Sequence, residues 1–308
     1  IMCDSIEGIG TDPEDSEWAT VHIVNAAKFY LTCNKVSNVN QKAIYFDNEV
    51  ADININADII ENGEYAGGDV ISIKGDGILN ANEVICRNNG SCLNHKAGTF
   101  IANILKLTSV NEDVESAGTV HLSDGTGTQN LTLFFDEIQN LSKEGGNAVT
   151  ASEGILNLNG RYIYSKAGLS MDLRADADIL VDEIISKTKG ININNNPSSG
   201  NKKVIIDANI IEGSNGNNGV VKSANGSNYV LRNAKIKNIS NSGDSVCIYI
   251  DSGSTLTSQT IEIENLILVS GNVSSGKTIF RAGSTAINVK NLGLFVNKAI
   301  DEDKIKLE

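Results

Sequence analysis

The stretch Gly68-Asp-Val-Ile-Ser-Ile-Lys-Gly-Asp-Gly77, followed by Ile78-Leu-Asn-Ala-Asn-Glu-Val-Ile85, decides how this chain reads. Apolar and polar residues alternate through it, the period of a strand with one buried face. Glycine stands where the chain must turn, because it tolerates positive φ. The unit then returns. Gly118-Thr-Val-His-Leu-Ser-Asp-Gly125 leads into Leu131-Thr-Leu-Phe-Phe-Asp-Glu-Ile138, and Gly190-Ile-Asn-Ile193 into Val204-Ile-Ile-Asp-Ala-Asn-Ile-Ile211. Gly243-Asp-Ser-Val-Cys-Ile248 leads into Ile261-Glu-Ile-Glu-Asn-Leu-Ile-Leu268. Shorter copies begin near Gly98, Asn147, Gly168, Gly219 and Gly276, and looser ones near Thr20 and Lys42. The copies lie roughly 20 to 33 residues apart, the range of solenoid repeats.

Each copy holds two or three short strands and no helical period, and β-branched residues dominate its apolar positions. Such units cannot build a βαβ sheet. They wind into a coil whose strands stack in parallel on the coil before. Ten or eleven coils at about 4.8 Å each make a rod on the order of 50 Å long. Inward Val, Ile and Leu form ladders, and asparagines stack at the corners.

This pattern resembles the right-handed parallel β-helix of pectate lyases, polygalacturonases and many phage tailspikes. The resemblance covers about residues 19 to 295 and rests on the repeat, without a diagnostic motif. It implies an all-β, single-stranded right-handed parallel β-helix over residues 19–297. Residues 1–18 are expected to be a polar cap or linker. Residues 298–308 are expected to be a charged cap or tail, with a short helix as one option. A left-handed helix would keep a strict hexapeptide rhythm, and propeller blades need longer repeats with aromatic signatures.

The chain has 308 residues, a net charge of −13, 29 Gly, only 2 Pro and 5% aromatics. Without clustered Lys and Arg it has no means of gripping nucleic-acid phosphates. No apolar run approaches the roughly 18 residues of a membrane-spanning helix, so membrane insertion is not expected. Five cysteines form no zinc-type pairs. Cys86 and Cys92 bracket a turn and offer either one local bridge or two buried, inert thiols.

Candidate chemistry is sparse. Gly271-Asn-Val-Ser-Ser-Gly-Lys-Thr278 satisfies the phosphate-loop pattern, but a strand-like segment comes after it where a helix must begin. It reads as a turn. Asp172, Asp176 and Asp178 beside Arg174, with Glu183, form the densest acidic cluster and the candidates for a hydrolase or lyase. Against a catalytic role, Asp58, Glu83, Glu137, Glu183, Asp207 and Glu264 recur at similar places, as a solvated edge would. The polygalacturonase motifs NTD, DD, GHG and RIK are absent, as is the lyase-type DH. His22 and His121 occupy matching outward positions between apolar residues. No cofactor or metal site is expected. Phe134 and Phe135 in one copy, with Arg161, Tyr162 and Tyr164 in the next, form the best aromatic patch; Phe135, Arg161, Tyr162 and Tyr164 are the candidate ligand-binding set.

The expected function is therefore a non-enzymatic adhesive or structural solenoid, a phage tailspike or tail-fibre component binding a cell-surface polysaccharide or receptor. A homotrimer on a virion tail, or an extracellular or cell-surface location, goes with the resemblance. The alternatives are a polysaccharide depolymerase of the same fold and a bacterial surface adhesin.

Overall fold

A computed structural model describes residues 1–9, 19–63, 68–110, 118–123, 128–195, 202–215, 218–224, 226–240, 246–251, 261–270, 279–282, 287–295 and 305–307. It is a parallel β-solenoid without helices among the described residues. The first strand, β1 (Met2–Gly8), belongs to a long wall. Short and long strands then alternate: β2 (Ala19–Ile23) and β3 (Phe29–Asn38), then β4 (Lys42–Phe46) and β5 (Val50–Asn62). Strand β6 (Ile71–Cys86) serves both walls, with β7 (Leu93–Ala97) and β8 (Thr99–Ser109) after it. Next come β9 (Val120–Leu122) and β10 (Asn130–Asn140), β11 (Val149–Ala151) and β12 (Ile155–Ser165), and β13 (Met171–Leu173) and β14 (Asp176–Ser186). The series continues with β15 (Ile191–Ile193) and β16 (Val204–Gly213), then β17 (Val221–Ser223) with β18 (Tyr229–Arg232) and β19 (Lys235–Asn238).

From β2 to β19 the coil makes about nine turns. Two further pairs, β20 (Ile248–Asp251) with β21 (Ile261–Ser270) and β22 (Ile279–Ala282) with β23 (Ile287–Phe295), continue the pairing. Strand β24 (Ile305–Leu307) pairs with β23, so this part of the tail is strand where a helix was one option. The repeated units of the sequence thus map onto one short and one long strand each.

From β3 to β16 the long wall keeps one ten-residue frame, clearest in β10. Leu131, Leu133, Phe135, Ile138 and Asn140 are buried, while Phe134 and Asp136 are exposed. Inward residues therefore fall at positions one, three, five, eight and ten. Two outward residues in succession, at six and seven, break the period-two alternation and bend the strand. The sixth residue is skipped by the strand pairing in turn after turn: Asn34, Asp58, Asn82, Leu105, Asp136, Arg161, Asp182 and Asn209. The bends align into a crease running along the solenoid. Beyond β16, Asn233 and Asn265 turn outward at position five with positive φ, and Ala234 and Leu266 are buried at position six.

The interior is a set of aliphatic ladders. At position three Leu31, Ile55, Leu79, Ala102, Leu133, Leu158, Ile179 and Ile206 are in register, and all are buried. Burying each Leu or Ile of the ladder supplies about 1.5–3 kcal/mol. At position ten a small polar residue closes the corner. Asn38 Oδ1 accepts the backbone N–H groups of Asn40 and Gln41 at 3.0 and 2.8 Å. Asn140 and Asn238 accept from Ser142 and Ser240 in the same way. Cys86 occupies this corner in β6, where its thiol points at Asn88 Oδ1 and Gly90 O, each 3.1 Å away. Cys92 is buried and free, so the local bridge to Cys86 is not formed and the buried-thiol reading holds. Burial pushes the Cys86 thiol up to about 12 and Cys92 well up too.

Candidate functional site: a groove over the crease

Position four of the long wall carries Thr32, Asn56, Asn80, Asn103, Phe134 and Asn159 on successive strands from β3 to β12. Position six carries the crease residues, and between them lie the near-buried fifth residues Cys33, Ala57, Ala81, Ile104, Phe135 and Gly160. Nearly buried residues at five, four of them small (Cys33, Ala57, Ala81 and Gly160), and a bend at six leave an open groove of about 770 Å³ over β3, β5, β6, β8, β10 and β12. Six strands at about 4.8 Å make it roughly 24 Å from the first to the last.

The groove is amide-rich on one side. Asn103 Nδ2 donates to Asn80 Oδ1 at 2.8 Å, Asn80 Nδ2 donates to Asn56 Oδ1 at 2.8 Å, and Asn56 Nδ2 donates to Asn54 Oδ1 at 2.8 Å. An amide has two N–H groups and two carbonyl lone pairs, so one bond of each kind leaves capacity toward solvent. The ladder fixes those groups at the inter-strand spacing. Along the crease itself Asn82 Nδ2 donates to Asp58 Oδ1 at 3.0 Å. Two apolar side chains stand in the groove, Leu105 at 59% exposure and Phe134 at 44%. Their exposure is the only large apolar surface on the groove's lining among the described residues.

Gly160 explains how the groove ends. A Cβ there would lie 2.6 Å from the Phe135 ring, so only glycine lets that ring cross to the neighbouring strand. Beside it Arg161 Nε and Nη2 donate to Asp136 at 2.7 and 3.0 Å, and Arg161 Nη2 donates to Glu137 at 2.5 Å. Hydrogen bonding from Arg161 holds the Asp136 carboxyl below the usual carboxylate range. Asp136 is thus a held anion.

The aromatic patch expected from sequence is divided by register. Phe135 aligns with Gly160, whereas Tyr162 aligns with Glu137 and Tyr164 with Gln139. Phe135 lies at the groove, and Arg161 stands in the crease with its guanidinium carbon 5.9 Å from the Tyr162 ring. Tyr162 and Tyr164 stack at 6.0 Å on the facet beyond the crease. Burial raises the Tyr162 hydroxyl's pKa.

The acidic candidates are spread over two walls. Asp172 is the outward residue of the short strand β13, where it accepts from Arg174 Nη2 at 3.1 Å and Asn192 Nδ2 at 2.7 Å. Asp176 and Asp178 open β14, and Asp176 Oδ1 accepts the Lys203 backbone N–H at 2.7 Å. Glu183 lies five residues beyond Asp178 on the same strand, roughly 16 Å away along it. Asp176 and Asp178 are therefore the pair brought onto one edge, and Glu183 is not beside them. Of the recurring acids, Glu83, Glu137 and Glu183 share position seven; Asp58 falls at six, and Asp207 and Glu264 at four.

His22 and His121 do share one outward line on the short wall, with Tyr45, Ser72, Asn94, Thr150 and Asp172. His22 Nε2 lies 3.0 Å from Asp47 Oδ2 and its ring 5.1 Å from that of Tyr45. The phosphate-loop-like stretch 271–278 lies outside the described residues, and the segment directly after it, Ile279–Ala282, is strand β22. No group of three His, Cys, Asp or Glu side chains is arranged to hold a metal among the described residues.

The groove's amides escaped the sequence reading, although their signal was present. Ile53-Asn-Ile-Asn56, Ile78-Leu-Asn80 and Ile101-Ala-Asn103 align once the ten-residue frame is known. No protein-family model matches this chain, and neither a curated protein nor a solved structure matches it.

Proposed function

We propose that the chain is a non-enzymatic adhesive solenoid that binds an extended, uncharged glycan of a cell surface along the long-wall groove. The observation that carries this reading is the in-register amide ladder Asn56–Asn80–Asn103 facing Asp58 and Asn82, with Leu105 and Phe134 exposed alongside. Amides and carboxylates bond hydroxyls, and an aromatic or aliphatic face packs on the apolar face of a sugar ring. A net charge of −13 disfavours acidic polymers. In this reading the chain serves as part of a phage tailspike or tail fibre, assembled as a homotrimer on the virion tail. A cell-surface adhesin would use the groove in the same manner.

The test is calorimetry of the purified chain with linear neutral and uronate-containing oligosaccharides of increasing length. Neutral chains long enough to reach several strands bind, and Asn80→Leu weakens them about tenfold, the equivalent of ~1.4 kcal/mol. If no extended oligosaccharide binds the folded protein, the reading fails. Shortening of the oligosaccharide during the titration would replace it with the depolymerase. Light scattering checks the trimer separately.

A further inference from the structure

We propose that Cys3 and Cys33 are a disulfide-forming pair, an oxidation site that clasps the first strand to the solenoid when a low-molecular-weight disulfide is present. The two residues are 30 positions apart in sequence but are direct partners in the β1–β3 pairing. Both occupy the fifth position of the long-wall frame, immediately before the crease residues Asp4 and Asn34. In-register residues of parallel strands point to the same side, with Cα atoms about 4.8 Å apart, inside the range that a disulfide spans. Cys33 is raised above the ordinary thiol range by burial first, and then by the nearness of Cys3 and Asp58.

The pair differs from the other cysteines. Cys86, Cys92 and Cys247 are buried, and each thiol points at a backbone carbonyl, that of Gly90, Val84 and Val269 respectively. Cys3 is exposed, and Cys33, itself buried, lines the end of the groove. An oxidant therefore meets Cys3 first. With oxidised glutathione, the Cys3 thiolate attacks one sulfur, and glutathione leaves as its thiolate and takes up a proton. Cys33, deprotonated, then attacks the Cys3 sulfur and expels the second glutathione thiolate. Two protein thiols and one glutathione disulfide become one protein disulfide and two glutathione thiols.

Strand β1 is where such a clasp has most to hold. Its residues are largely exposed, and Ile6 is its contribution to packing against the core. A strand paired on one side among the described residues, and held mainly by its backbone, opens locally at low cost. A covalent bond to β3 removes that opening without touching the interior.

The experiment incubates the intact chain with oxidised and reduced glutathione, alkylates the remaining thiols and maps unreduced peptides by mass spectrometry. The expected result is a Cys3–Cys33 linked peptide pair, a chain lighter by two hydrogens, and hydrogen exchange in β1 slowed by about tenfold or more. Cys33→Ala, beside Ala57 and Ala81 in the same ladder, retains only a glutathione adduct on Cys3. A stable adduct on Cys3 of the native chain with Cys33 still alkylated, or chains joined through Cys3, overturns the proposal. A linked pair with unchanged exchange overturns its clasping role. None of these outcomes depends on whether the groove binds a glycan.

Discussion

The two walls of the solenoid differ in the residues they turn away from the core, and on the short wall Ser72, Asn94 and Asp172 are buried even there. On the short wall one outward line runs His22, Tyr45, Ser72, Asn94, His121, Thr150 and Asp172, with a different chemistry at nearly every step. On the long wall the line through Asn56, Asn80 and Asn103 repeats one amide, and the crease beside it alternates Asn34, Asp58 and Asn82. Inside, the walls are alike: Leu122 and Ile193 are as buried as Leu133 and Ile206. The interior needs only apolar residues of suitable volume, so it teaches little about function. A repeated polar residue on an outward line, bonded to its own copies, is the informative departure.

That contrast can be broken from within. Leu133→Ala and Leu122→Ala empty equivalent fully buried sites, and each is expected to cost about 2–5 kcal/mol by chemical denaturation. Similar losses in both walls would confirm that the core is indifferent to which face lies outside it.

The sharpest exception to that indifference is His95. It is an inward residue of the short wall, between Ile73 and Leu122 in register, and it is fully buried. Neither ring nitrogen has a hydrogen bond of good geometry; backbone of Ala97 and Gly75 lies near enough to favour charge, but burial outweighs it. The imidazole is pushed down to about 4. Because the unfolded chain binds the proton more tightly, folding loses stability as pH falls from about 6.5 toward 4. The full loss is on the order of 3 kcal/mol. Denaturation midpoints measured across that range check it, and His95→Leu is expected to abolish this part of the slope.

Smaller effects sharpen the picture of the groove. Gly160→Ala drives a methyl group into the Phe135 ring, and overpacking of this kind costs about 1–3 kcal/mol. It should also displace Phe135 from the groove end, visible as a change in ligand affinity. On the short wall, His121→Ala is expected to change stability by less than about 0.5 kcal/mol, measured by the same denaturation.

The strands themselves were legible because alternation survives in every copy and glycine corners in most of them. The two segments read in Gly68–Ile85 are both strand, but they run on as the single strand β6, which passes from one wall to the other through Gly75 and Gly77. The two-residue outward step at positions six and seven was not legible. It shifts the frame within a strand, so Phe135 and Tyr162 look equivalent in sequence yet stand two positions apart across the wall. The acidic residues misled for the same reason: Asp58, Glu83 and Asp207 fall at three different positions of the frame. The Cys3–Cys33 pairing was hidden because the polar composition of residues 1–18 suggests a cap or linker, while Met2–Gly8 pairs as a strand.

The crease has a metric consequence. Backbone hydrogen bonds hold its rungs about 4.8 Å apart, and a sheet has little freedom to stretch. A polymer lying along it meets equally spaced marks, as on the fixed scale of a vernier. If the polymer's own repeat differs slightly, each successive unit falls further out of step until contacts are lost. The groove would then select by period and by length, and two polymers with identical hydroxyl chemistry but different pitch would be told apart.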